Sequence, residues 1–178
     1  EIKGFSRGEE DSAEAPEDPP EPRAARPKVL VRSVVATRQG MDAFGKRLVA
    51  AAHARGFHAA RRKAFVADGG ASNWSVHKKH FSHYTPVLDF THAVCYVFAA
   101  AMAGRSFAEG WPEYCQWAQH LWEGATSTLI AAVAHRAQVL GPPREGEAET
   151  SPRKVVADAL QYLKNQQSRM KYAEYRKL

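Results

Sequence analysis

Two aspartates stand where an acid can do chemistry. The segment KAFVADGG is a short apolar run that ends in Asp68 and is followed at once by Gly69 and Gly70; TPVLDF is a second apolar run, with Asp89 near its end. In an α/β sheet, functional groups collect at the carboxyl ends of parallel strands, where loops and helix N-termini leave room for a ligand. A carboxylate there, beside glycines that let a metal or a phosphate backbone approach closely, suits Mg²⁺-dependent phosphoryl transfer with Asp68 as metal ligand. The same position suits an aspartate that caps the following helix, and for Asp89 capping is the favoured reading. His92 follows Asp89 by three residues at the start of a helix. An imidazole there can orient a phosphate or a catalytic carboxylate, or serve only as a satisfied helix-terminal histidine.

Basic residues lie on both sides of Asp68 in the sequence: Arg61, Arg62 and Lys63 before it, Lys78 and Lys79 after it. Such side chains can follow a DNA backbone, and Trp74 is close enough in sequence to stack on a displaced base. A solvated basic face explains the same residues. His77, His80 and His83, with His92 and Cys95, have spacings that put ligands on one side of a helix. They lack paired CxxC or HxxxH elements, and Phe81 and Tyr84 interrupt them, so they read as ordinary histidines of a basic protein rather than a zinc cluster.

The elements that must position these residues follow from periodicity. KVLVRSVVAT, from Lys28 to Thr37, is β-branched and apolar and reads as a buried strand. In MDAFGKRLVAAAHARG, Met41, Phe44, Leu48, Ala51 and Ala52 recur at helical steps, with Gly56 as the stop. The strand ending at Asp68 comes next, then a short helix that Ser72 or Asn73 can cap and that runs to about His80. A third strand holds Pro86 and Asp89, and HAVCYVFAAAMAG forms the helix after it. This alternation predicts an α/β fold of about three strands with right-handed crossover helices over residues 28–104.

Residues 105–178 read as all helical. Trp111, Tyr114, Trp117, Leu121 and Trp122 form a stripe at helical spacing, which core packing explains more cheaply than a cofactor site. A polar loop, GPPREGEAETSPR, separates this part from a closing basic amphipathic helix, RKVVADALQYLKNQQSRMKYAEYRKL, that runs to the last residue with no stop signal. Residues 1–27 are rich in Glu, Asp, Ala and Pro and read as a flexible linker after a strand remnant.

A chain of 178 residues with 44% apolar content can bury the core of one domain, or of part of one. No apolar run is long enough to span a bilayer, and charges occupy the N-terminal positions where a signal peptide has its apolar core, so a cytoplasmic protein with no membrane partner is expected. The two cysteines, Cys95 and Cys115, are too few for a disulfide framework. The net charge of +6 is uneven: residues 1–27 hold four basic and eight acidic side chains, leaving 21 basic against 11 acidic in the remainder. A body of about +10 favours polyanions through counterion release, and nucleic acid is the commonest of these in a cell.

Three segments in order, FVADGGASNW, HFSHYTPVLDFTHAVCYVFAAA and DALQYLKNQQSRMKYAEYRKL, resemble the DDE transposases of bacterial insertion sequences, RNase H-like proteins distantly related to Mutator-like elements. Members of that family have an apolar strand ending in Asp-Gly with a Trp shortly after. An Asp-x-x-His element follows, then a helical insertion, then a helix with a Tyr-x-x-Tyr-Arg pattern, matched here by Tyr172, Tyr175 and Arg176. The resemblance covers roughly Lys28 to Leu178. It implies a partial RNase H-like fold, with Asp68 as the second acid of the triad and Asp89 with His92 as the accessory motif. The family's first Asp lies on an earlier strand, and its Glu lies on a helix just beyond the Tyr-Arg pattern; neither is in this sequence. The resemblance further implies Mg²⁺ or Mn²⁺ in the complete enzyme, DNA ends and target DNA as partners, self-association, and no strand transfer by this chain alone. Another reading is a non-catalytic DNA-binding remnant of a decayed transposase. An unrelated α/β enzyme using Asp68 and His92 as acid and base is the weakest, because no activated nucleophile or phosphate loop of standard spacing is present.

Overall fold

The computed structural model describes residues 32–177. The expected linker, residues 1–27, and the first part of the strand expected at 28–37 lie outside the described residues. The rest of that stretch, Arg32–Thr37, forms no strand, so the expected three strands are two among the described residues. The physical reason is pairing. A β-branched run becomes a strand only beside another strand, and among the described residues none pairs with it; Val34 is 86% exposed.

From Met41 onward the order of elements follows the sequence pattern. Helix α1 spans Met41–Ala54 and ends near Gly56, whose φ of +70° is the left-handed conformation a stop glycine supplies. Gly45 lets α1 approach the next helix: a Cβ at this position would lie 2.8 Å from the His80 ring. Strands β1 (Ala64–Ala67) and β2 (Thr85–Leu88) pair in parallel, from Ala64 opposite Thr85 to Ala67 opposite Leu88. Helix α2 (Ala71–His80) makes the crossover between them. A small core of Ala52, Val76, Phe81 and Tyr84, with Phe44, Leu48 and Phe65 against it, joins α1, α2 and β1.

After β2 the chain is helical: α3 (Phe90–Met102), α4 (Phe107–Glu123), α5 (Thr126–Leu140), α6 (Pro152–Gln166) and the short α7 (Tyr172–Tyr175). Helices α4 and α6 begin at sequence signals. Ser106 and Glu109 form a capping box on α4, and the Ser151 hydroxyl accepts from the Lys154 amide at the start of α6, where Pro152 takes the first turn. Helix α3 packs on α4 and α6, and α5 packs on α4 and α6, around Val97, Ala100, Leu121, Leu129, Val133, Val156 and Leu163, all with no exposed surface. The aromatic stripe on α4 divides: Trp117 and Leu121 are core, whereas Trp111 and Trp122 are 43% and 48% exposed. Arg136 is buried at the end of α3, where its guanidinium donates to the Ala100 and Ala103 carbonyls. It thereby satisfies acceptors that the helix end leaves open, although burial holds its pKa below the ordinary arginine value. The architecture is thus mixed α/β and mostly helical, with one small parallel sheet. No helix among the described residues is long and apolar enough to cross a membrane.

The two outer edges of the sheet differ. The Thr85 amide donates to Lys63 O and the Asp89 amide to Ala67 O, so on β2 the residues facing away from β1 are Pro86 and Leu88. Their carbonyls accept hydrogen bonds from the hydroxyls of Tyr175 (3.1 Å) and Tyr172 (3.0 Å). Two tyrosines therefore close this edge in place of a third strand. On β1 the outward residues are Ala64 and Val66; their backbone groups have no partner among the described residues, and Val66 is 61% exposed.

Candidate functional site

Asp68 and Asp89 terminate the two parallel strands and sit side by side across the sheet, joined through the bond from the Asp89 amide to Ala67 O (2.8 Å). Each carboxylate has one oxygen committed locally. Asp68 Oδ1 accepts from the Gly70 amide (2.9 Å) and from Asn73 Nδ2 (2.8 Å), and Asp89 Oδ1 accepts from the Thr91 amide (3.0 Å) at the start of α3. Asp89 is the N-cap of α3, as its position suggested. Asn73, expected as a helix cap, instead holds the Asp68 side chain, and the N-cap of α2 is Gly70. The hydrogen bond from Gly70, then that from Asn73, and beyond them the charge of His92, hold the Asp68 carboxyl below the ordinary range against a small opposing effect of burial. His92 is exposed on the first turn of α3 and tilts towards Tyr96, with ring centroids 6.3 Å apart.

The turn that carries Asp68 is fastened from the far end of the sequence. The Tyr162 hydroxyl donates to Asp68 O (2.7 Å), and Gln166 Nε2 donates to Gly69 O (2.9 Å). Tyr162 is itself held by stacking on Tyr96, with centroids 3.7 Å apart and planes within 10°. Burial, followed by the charges around it, raises the Tyr162 pKa, so this phenol stays a donor. Gly69 adopts φ +96°, and a Cβ there would meet the Tyr162 hydroxyl at 2.8 Å. Sequence reasoning missed Tyr162 and Gln166. On an amphipathic helix their four-residue spacing looks like any other part of a packing face, and only docking of α6 shows which backbone they reach.

A groove of about 530 Å³ runs along the open edge of β1, lined by Phe44, Leu48, Phe57, Val66 and, at its acidic end, by Asp68 and Asp89. The basic residues named from the sequence are distributed around the fold rather than gathered at this end. Arg61 and Arg62 are exposed before β1, at the opposite end of the strand from Asp68, on the order of 15 Å away at 3.3 Å per residue. Lys63 turns its ammonium onto the His58 carbonyl (2.7 Å). Lys79 pairs with Asp42, whereas Lys78 is exposed and without a side-chain partner among the described residues. Trp74 is half-buried, packed near Phe65 and His77, with the Arg169 guanidinium 4.4 Å over its ring. Its indole N–H is buried without an acceptor among the described residues, so packing rather than a hydrogen bond sets the ring's position.

A hard cation needs oxygen donors, and Asp68 and Asp89 supply the correct kind, each keeping one carboxylate oxygen outside its local hydrogen bonds. No group of three or more His, Cys, Asp or Glu side chains that could hold a metal ion is assembled among the described residues. The His77, His80, His83, His92 and Cys95 set therefore forms no zinc site there, and His77 Nε2 is engaged with Tyr84 O (2.9 Å). Comparison of the chain with protein-family models, with curated proteins and with solved structures finds no match.

Proposed function

We propose that this chain is part of a DDE transposase with an RNase H-like core, in which Asp68 is the second acid and Asp89 with His92 is the accessory element beside it. The observation that carries the reading is the juxtaposition of Asp68 and Asp89 at the carboxyl ends of two hydrogen-bonded parallel strands, both facing one groove. The open edge of β1 supports it further. The reading requires a neighbouring strand that brings the first acid next to Asp68, and the backbone of Ala64 and Val66, unpartnered among the described residues, borders a groove that Ser33 and Val35 also line. Tyr172 and Tyr175, the tyrosines of the motif that carries the resemblance, hold the strand that ends at Asp89.

Two metal ions about 3.5–4 Å apart, held by several carboxylates, are what such chemistry uses to stabilise the attacking and leaving oxygens of a phosphodiester. Asp68 and Asp89 are right in kind for this and too few in number, so no catalytic step follows from this pair alone. The contribution of these residues is orientation: Gly70, Asn73 and Tyr162 fix the Asp68 turn, and Asp89 is fixed by its cap. The complete protein would cleave DNA at an element end and join the freed 3′-hydroxyl to target DNA, and the 178-residue chain would be inactive in strand transfer. Sequencing the DNA on both sides of the coding segment tests the proposal. An upstream strand bearing an Asp, a downstream helix bearing a Glu, and flanking inverted repeats are the expected result. Unrelated sequence on both sides would refute an active enzyme and leave a DNA-binding remnant, the reading that the excess of unpaired basic residues favours.

A further inference from the structure

One groove brings Lys78 of α2 and Arg169, from far along the sequence, to the same surface. Trp74 and Ser75 lie three and four residues from Ala71 and from Lys78, and these four line a groove on one face of α2 with His77, Ser82 and Arg169. The groove holds about 500 Å³, and no Asp or Glu lines it. Arg169 belongs to the turn Gln167–Arg169 after α6, and it is held in three ways: over the Trp74 ring, and by its bonds to Gln166 Oε1 (3.0 Å) and Asn165 O (3.4 Å). Neither Arg169 nor Lys78 has a carboxylate partner among the described residues. The groove runs from Ala71, three residues after Asp68, to Lys78, about 10 Å along the helix at 1.5 Å per residue.

We infer that this face of α2 is a phosphate track, on which Arg169 and Lys78 contact the backbone of DNA whose path leads to Asp68. The inference rests on the reading of the chain as a DNA-handling protein and names the contacts that reading leaves open. The chemistry is specific to the two cations. An arginine pre-placed by an aromatic face presents its N–H fork to phosphate oxygens with little ordering cost, and a lysine adds a point charge further along. Trp74 is then the platform that sets the arginine, not a surface for a base. Ser75 and Ser82 add hydroxyls at the same wall, although Ser75 Oγ also donates to Ala71 O (3.0 Å).

The test is fluorescence anisotropy of a short labelled duplex with the full 178-residue chain at several salt concentrations. Lys78→Gln together with Arg169→Gln is expected to weaken binding on the order of tenfold and to lower the slope of log K against log salt by about two, whereas Lys164→Gln on α6 leaves both unchanged. Should Arg169→Gln disturb folding by circular dichroism, Lys78→Gln decides alone, with a slope lower by about one, because Lys78 is exposed and holds nothing in place. Wild-type binding that the substitutions leave untouched would overturn the track while the DNA reading stands. Absence of duplex binding by the wild type would overturn both. A Trp74 indole resonance that shifts with inorganic phosphate, in a chain that retains no duplex, would reduce the groove to an ion site and likewise overturn the track.

Discussion

Removing a single hydroxyl at Tyr172 tests whether tyrosines stand in for a missing strand at the outer edge of β2. Tyr172 is 5% exposed, and its hydroxyl donates to the carbonyl of Leu88, a residue with no exposed surface. Tyr172→Phe keeps the ring and its edge contact with Phe90 (5.0 Å) but leaves that carbonyl buried without a donor. A lost hydrogen bond costs about 1 kcal/mol net, and a stranded buried acceptor brings the total to about 1–2 kcal/mol. For a chain of this size that corresponds to a fall of roughly 3–6 °C in Tm. Tyr175→Phe is the internal comparison. Its acceptor, Pro86 O, lies in a half-buried contact that water can reach, so the loss there should stay within about 0.5 kcal/mol. Urea denaturation followed by circular dichroism, with calorimetry for Tm, measures both. A Tyr172→Phe variant as stable as wild type, or a Tyr175→Phe variant that loses more, would refute the argument that these hydroxyls close the sheet edge.

Two further outcomes follow from the site and its surroundings. Gly69→Ala places a Cβ at φ +96° and 2.8 Å from the Tyr162 hydroxyl, so it should cost about 1–3 kcal/mol in urea denaturation, while Gly40→Ala, with open space around it, should be neutral. Asp42 is held at about 2 instead of 3.8, chiefly by its hydrogen bond with Lys79 and then by Lys46. Because the folded value is the depressed one, the stability this pairing lends is present above pH 3.8 and is lost as pH falls towards about 2. Carboxyl NMR titration should find the low value in the wild type and a rise in Lys79→Gln; an unchanged titration would break the assignment of its cause.

Local structure was legible in the sequence wherever it depends on neighbours within a few residues. Helical periodicity placed α1 and α3 and the helical character of the region from α4 onward, although the closing segment, expected as one helix to Leu178, breaks after Gln166 into the turn Gln167–Arg169 and α7. Gly56 marked a true left-handed stop, and both aspartates fell at the ends of the apolar runs that became strands. The cap at Asp89 was legible for the same reason, since a side chain that bonds the amide two residues on needs no distant partner. What the tertiary structure alone decided depends on contacts across tens of residues. Arg32–Thr37 has strand composition without strand structure, because pairing requires a neighbour that composition cannot supply. Lys78 and Lys79 are adjacent and identical in type, yet one is neutralised by Asp42 from α1 and the other is free to meet a ligand. Tyr162, Gln166, Arg169 and Tyr172 lie between about 80 and 100 residues from the strand ends and helix face they hold. Periodicity could show that the helix of Tyr162 and Gln166 has a buried face; which backbone carbonyls lie beneath it, and where the turn of Arg169 and the short helix of Tyr172 dock, is set only when the helices close around one core.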